Sequence, residues 1–217
     1  MILDPPGFLK LDERTCLFVD GANLYAAARS LGLQLDFGAL LAHVRDNTRL
    51  VRAYYYSALL DTDDYTPVRP LVDWLSYNGW SVVTKTAREF TDPQTGHRRT
   101  KGNMDIELAI DMLELAPSIE HAVLFSGDSD FRRLVEAVQR RGVRVSVVSS
   151  TRTSPSIAGD ELRRQADLFV ELAEFGQHFT RRPPPDRTGF DRIPSPNRAP
   201  ANRAAVDPAE TFPDEAG

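Results

Sequence analysis

Cysteine is almost absent from this chain of 217 residues: Cys16, inside the apolar run Thr15 to Val19, is the single thiol. A disulfide framework within the chain is thereby excluded, a reducing compartment is favoured, and core packing is the best role for that side chain. Long apolar runs are lacking too. No stretch approaches the ~20 residues needed to span a bilayer, and the N-terminus Met-Ile-Leu-Asp-Pro-Pro has neither the basic nor the hydrophobic region of a signal peptide. A cytoplasmic protein with no membrane partner is expected. The phosphate loop G-x-x-x-x-G-K-[ST], the dinucleotide fingerprint G-x-G-x-x-G, the zinc pair H-E-x-x-H and the nucleophile elbow G-x-S-x-G are all missing. The four histidines, His43, His97, His121 and His178, do not cluster in sequence. Positive charge is not in excess. A net charge of −5 argues against a broadly basic nucleic-acid coat, although a carboxylate cluster offset by bound metal would account for much of it.

The length suits a single well-buried domain with an appendage. From Arg181 onward the composition changes, with eight of the fifteen prolines, six arginines against six acids, and almost no large apolar residues. Such a segment cannot bury enough surface to offset its ordering entropy, so 181–217 reads as a disordered Pro/Arg-rich tail on a domain spanning 11–180. Inside the domain, Thr15 to Val19, Leu50 to Ser57, Trp80 to Thr84, Ala122 to Ser126 and Val143 to Val148 are short and apolar on successive positions, as strands buried on both faces are. Between them Asn23–Leu31, Phe37–Arg45, Tyr65–Tyr77, Met104–Leu115 and Phe131–Arg140 have helical spacing. The alternation predicts an α/β fold: a mainly parallel five-stranded sheet with helices on both faces and right-handed crossovers. Ligands of such sheets bind beyond the carboxyl ends of the strands, near a switch in strand order.

Four aspartates occupy such positions. Asp20 ends Leu-Phe-Val-Asp, Asp105 ends Lys-Gly-Asn-Met-Asp, and Asp128 and Asp130 lie in Phe-Ser-Gly-Asp-Ser-Asp-Phe. Hard divalent cations want oxygen ligands gathered in this way. If the fold brings these segments together, the cluster is a Mg²⁺ or Mn²⁺ site of the kind that hydrolyses phosphodiesters with activated water. Taken singly, Asp20 and Asn23 are equally explained as a turn and helix cap. Asp105 is harder to dismiss: at ~100° per residue, Leu108, Ala109, Met112 and Leu113 fall within about 80° of it, while Glu107, Asp111 and Glu114 share an opposite face that reads as solvated. A carboxylate on a buried arc needs a metal, a cation or the donors of a helix start. Gly127-Asp128-Ser129-Asp130 follows a strand and opens a helix, where one cap would suffice. The second acid and Ser126 suit a ligand set with supporting hydrogen bonds.

The stretch Lys85 to Lys101 is long for a simple connection, with turn residues at its centre and Lys85, Arg88, His97, Arg98, Arg99 and Lys101 on its flanks. It reads either as an exposed loop with a solvated charge run or as a basic flap that contacts phosphates beside the acids.

Leu17-Phe-Val-Asp-Gly-Ala-Asn-Leu-Tyr25, Lys101-Gly-Asn-Met-Asp-Ile-Glu-Leu-Ala-Ile-Asp-Met-Leu113 and Leu124-Phe-Ser-Gly-Asp-Ser-Asp-Phe131 closely resemble the motifs of the NYN domain family, in particular its LabA-like branch. The resemblance runs from about Thr15 to Leu172. It implies a three-layer α/β/α fold like that of PIN-domain nucleases and metal-dependent ribonuclease chemistry, with Asp20, Asp105, Asp128 and Asp130 at the family's acidic positions and Asn23 at its polar position after the first strand. The expectation is a Mg²⁺- or Mn²⁺-dependent endoribonuclease. Its acids would hold the metal, Asn23 and Ser126 would fix them, and Lys85, Arg88, Arg98, Arg99 and Lys101 would bind RNA. A non-catalytic regulatory module that binds RNA, nucleotide or a partner protein through the same cleft is the alternative, protein partners or a homodimer are further candidates, and the sequence does not separate RNA from DNA as substrate.

Overall fold

The strand Arg14–Asp20 (β1) explains the rest of the architecture, because its five central residues are buried on both sides. Successive strand residues point to opposite faces. Leu17 and Val19 accordingly join one apolar cluster, and Cys16 and Phe18 join another. In this computed structural model, which describes residues 4–60, 68–91, 98–101 and 103–180 (side chains excepted at 60, 88–91 and 98–101), β1 is the central strand of one sheet. Burying a residue such as Leu17 or Phe18 contributes roughly 1.5–3 kcal/mol relative to exposure, so the middle of the sheet is the main apolar anchor of the fold.

The other strands are Arg49–Leu60 (β2), Ser81–Thr91 (β3), Arg98–Lys101 (β4), His121–Phe125 (β5), Arg144–Ser149 (β6) and Leu168–Glu171 (β7), in the spatial order β4-β3-β2-β1-β5-β6-β7. All pairings are parallel except β3 with β4. The chain steps outward from β1 through β2 and β3, then returns to the other side of β1 for β5, β6 and β7. The order therefore reverses at β1, and the carboxyl ends of β1 and β5 flank the crevice where doubly wound sheets bind ligands.

The helices Gly21–Ser30 (α1), Phe37–Asn47 (α2), Arg69–Tyr77 (α3) and Leu172–Phe175 (α7) supply residues to the cluster around Leu17 and Val19. Asp105–Leu115 (α4), Arg132–Gln139 (α5) and Asp160–Gln165 (α6) supply the cluster around Cys16 and Phe18. The result is three layers, α/β/α. Helix α5 shows the underlying rule: Leu134, Val135 and Val138 recur at helical spacing and are its buried residues.

Two strands exceed the five expected. The segment Leu168–Glu171 is too short, and buried at too few positions, to show as an apolar run. On the other edge β3 does not stop at Thr84: it continues to Thr91 and pairs antiparallel with β4, Arg88 opposite Lys101 and Thr91 opposite Arg98. In its described part the flap is thus a pair of antiparallel strands, and His97 lies outside the described residues. The proposed tail 181–217 lies outside them as well. The solvated face expected on α4 also differs. Glu114 is exposed as expected, but Asp111 accepts the Tyr56 hydroxyl at 2.9 Å, Glu107 accepts Lys85 Nζ at 2.9 Å, and the apolar Ile106 and Ile110 are exposed as well. Leu108 and Met112 on the predicted arc are buried, so the difference lies in the polar partners that β2 and β3 offer Asp111 and Glu107. No helix among the described residues is long and apolar enough to cross a membrane.

Candidate metal centre

Asp20 is the last residue of β1 and the N-cap of α1. Its Oδ1 accepts the Asn23 backbone N–H at 3.2 Å, and its Oδ2 accepts the Ser126 hydroxyl at 3.0 Å. The capping role and the site role are both present, one on each oxygen. Ser126 Oγ in turn accepts the Asp128 N–H at 3.2 Å, and Asn23 Oδ1 accepts the Gly127 N–H at 2.8 Å. Two of these four hydrogen bonds, Ser126 to Asp20 and Gly127 to Asn23, each of about 1 kcal/mol net, lace the end of β1 to the end of β5. Glycine at 21 is needed because a Cβ there would lie 2.6 Å from the Tyr55 ring and 2.7 Å from the Tyr56 carbonyl oxygen, so α1 starts flat against β2.

Asp128 leaves β5 in an extended conformation, and its Oδ1 accepts the Asp130 N–H at 2.9 Å, which closes the 3₁₀ turn Ser129–Phe131. This acidic turn rests on the loop that follows β6: Gly159 N–H donates to the Gly127 carbonyl at 2.8 Å. A Cβ on Gly127 would collide with the Ile157 carbonyl, and one on Gly159 with the Ser129 hydroxyl. Asp105 opens α4 from the opposite side of the crevice. Its N–H donates to Asn103 Oδ1 at 2.6 Å, and its Oδ2 accepts from Asn103 Nδ2 at 2.5 Å. A carboxylate in that first turn also meets the positive end of the helix dipole.

Carboxylate oxygens of Asp105, Asp128 and Asp130 all lie within 4.8 Å of one another. Asp20 stands behind them, joined through Ser126. Burial raises its carboxyl above the ordinary value, the Asn23 and Ser126 hydrogen bonds oppose this, and the charges of Asp105 and Asp128 push it up again. Burial likewise raises Asp105, against its Asn103 bond and with the charges of Asp128, Asp130 and Glu107. Nearby, burial and the Asp20 charge push the Tyr55 phenol up to about 12. A set of oxygen donors gathered this closely, with like charges that repel one another, fits a hard divalent cation.

Of the expected basic residues, Lys85 is paired with Glu107 in an exposed contact two positions along α4 from Asp105. Arg88, Arg98, Arg99 and Lys101 lie on the strand pair that leads into Asn103 and Asp105. The sequence reading missed Asn103, although Asn two residues before a helix start is a known side-chain cap pattern. It also missed the support from Gly159, for which a lone glycine in a loop gives no signal.

The carboxyl-end crevice of a doubly wound sheet, lined by acids from three segments, defines the class of PIN-like nuclease folds. The profile of the NYN domain family matches residues 14–173, and the chain belongs to that family. It is 33% identical over 178 residues to the low amplitude and bright protein LabA of Synechococcus elongatus, covering 80% of this chain and 92% of that one. The crystal structure of a Vibrio parahaemolyticus protein of unknown function superposes with a TM-score of 0.60 at 24% identity, over 81% of this chain and 99% of that chain, and shares the fold.

Proposed function

We propose that the protein is a Mg²⁺- or Mn²⁺-dependent endoribonuclease that hydrolyses RNA phosphodiester bonds at the β1/β5 crevice. The observation that carries this reading is the convergence of Asp105, Asp128 and Asp130 within 4.8 Å from two separate segments. These three would hold the ion or ions, with Asp20 adding a fourth negative charge behind them. The bound cation supplies Lewis acidity and a lowered pKa for water, together with neutralisation of charge on the leaving oxygen. The chain itself does the positioning. Ser126 and Asn23 keep Asp20 and the Gly127 turn from rotating away, and Asn103 fixes the Asp105 carboxylate. Asp130, the exposed member of the trio, orients the incoming water at the rim. Arg88, Arg98, Arg99 and Lys101 on the strand pair, with Lys85 when it releases Glu107, hold the phosphates on either side of the scissile bond.

The test is incubation of purified protein with labelled single-stranded RNA, structured RNA and DNA, in Mg²⁺, Mn²⁺ or EDTA. Internal cuts in RNA with a divalent ion, abolished by EDTA and by Asp105→Asn, are expected. RNA that is bound and never cut under any ion would replace this reading with the non-catalytic module, and preferential cutting of DNA would replace the substrate.

A further inference from the structure

A second convergence of metal-ligating side chains lies outside the strand-end loops. Asp4 comes from the N-terminal segment, His43 from α2, and His178 from the 3₁₀ turn Gly176–His178 after α7. His43 Nε2 lies 3.1 Å from Asp4 Oδ1 and 2.9 Å from Asp4 Oδ2, and His178 Nε2 lies 3.2 Å from Asp4 Oδ1. One donor atom from each residue falls within 4.8 Å of the others. The three side chains are 18%, 19% and 10% exposed in the order Asp4, His43, His178. The two imidazoles stack with ring centroids 4.4 Å apart, and each also packs against Phe175 at 5.8 Å.

We propose that Asp4, His43 and His178 form a second cation site, one that takes a borderline divalent transition metal such as Zn²⁺ and clasps the N-terminal segment and the turn after α7 onto α2. Two imidazole nitrogens with one carboxylate suit such ions, whereas the all-oxygen set at the strand ends suits Mg²⁺ or Mn²⁺. The spacing agrees. Ligands ~2.1 Å from an octahedral ion stand ~3.0 Å apart, and ~3.4 Å around a tetrahedral one. The observed nitrogen-to-oxygen distances of 2.9–3.2 Å match the first directly and reach the second by opening a few tenths of an ångström. Both Nε2 atoms already lie beside the same carboxylate, and binding would tilt the stacked rings so that their in-plane lone pairs converge on the ion. Water would complete the coordination, since all three side chains are partly exposed.

The competing account is two imidazoles that simply hydrogen-bond one carboxylate. Tag-free full-length protein, stripped with EDTA and placed in excess Mg²⁺ to occupy the oxygen site, is dialysed against Zn²⁺ and melted. The expectation is one retained Zn²⁺ per chain and a Tm rise on the order of 5 °C at about a hundredfold excess over Kd. His178→Gln and Asp4→Asn, with circular dichroism unchanged, should lose both. In the wild type, imidazole ¹H–¹⁵N spectra should show Zn²⁺ shifting His43 and His178 while His121 stays in place, a readout that does not depend on any variant folding. No retained Zn²⁺, or a titration that leaves the His43 and His178 signals unmoved, overturns the site. So does an equal Tm response in a folded His178→Gln. RNA cleavage plays no part in any of these outcomes.

Discussion

Replacing Asp105 by Asn should stabilise the protein without metal and deprive it of stabilisation by metal. Asp105 shares a 4.8 Å neighbourhood with Asp128 and Asp130, and two like charges at that separation repel by about 0.9 kcal/mol in a water-like dielectric, the appropriate limit for these partly exposed groups. Removing Asp105 relieves two such pairs, about 2 kcal/mol. Asn keeps an oxygen for the Asn103 amide but loses the attraction of a negative charge for the α4 N-terminus, about 0.3–1 kcal/mol. The net gain is about 1 kcal/mol, or roughly 2–4 °C in Tm for a chain of this size. In EDTA at neutral pH the variant should therefore melt above the wild type, and on adding Mn²⁺ the wild type should rise past it. Acid should erase the difference. Asp20 and Asp105 have folded pKa values raised above 3.8, so between that value and the raised ones the folded state binds protons that the unfolded chain has released. Wild-type stability falls as pH rises through this window. The variant's lead should open in the same window and vanish below it. Scanning calorimetry from pH 3 to 8 with EDTA or Mn²⁺ reads all of this. A variant that melts at or below the wild type in EDTA, or that gains as much from Mn²⁺, refutes the assignment of Asp105 to a shared cation site.

Asp20→Asn should also abolish metal-dependent RNA cleavage, by at least about a hundredfold, while circular dichroism stays unchanged, because the amide oxygen can still cap α1; wild-type rates after removal of contaminating nuclease would exclude Asp20 from the site. Arg98→Ala with Arg99→Ala should weaken RNA binding more than it slows cleavage at saturation, and should flatten the salt dependence by about 0.7 log units per lost phosphate contact on a single strand; equal slopes in a filter-binding salt series would return the strand pair to an exposed charge run. His121 is fully buried and its pKa is pushed down to about 3, chiefly by burial with help from the Arg144 charge. The unfolded chain then binds a proton that the folded one refuses, so this residue should subtract stability by up to roughly 1.4 kcal/mol per pH unit as pH falls below 6.5, and chemical denaturation of His121→Gln should show a shallower acid limb.

The central strands were legible because burial on both faces leaves an unmistakable run, as in Cys16 to Val19 and Ala122 to Phe125, and α5 because its stripe is clean. Strand β7 was not, since four residues with one buried position carry too little pattern. The buried arc of α4 and the exposure of Glu114 were legible, whereas the partners of Asp111 and Glu107 were not, because Tyr56 and Lys85 are distant in sequence. At the site, residue type and position after a strand pick out the four aspartates. Their division of labour is another matter. The Asn23 cap on one oxygen of Asp20 is local and was legible, but the Ser126 bond to the other spans 106 positions, and the meeting of Asp105 with Asp128 and Asp130 is tertiary, so no local spacing encodes them.

The bond from Gly159 to the Gly127 carbonyl makes the acidic turn a dependent of a loop that has no ionisable group at the point of contact. A methyl group at 159 would have to displace the Ser129 hydroxyl, and with it the short link between Asp128 and Asp130. In a mutational screen scored by cleavage, this silent glycine should therefore behave like one of the acids. Scored by metal-free folding alone, it should behave like any tight turn. The gap between those two scores measures how far the placement of the carboxylates, as distinct from their presence, limits the reaction.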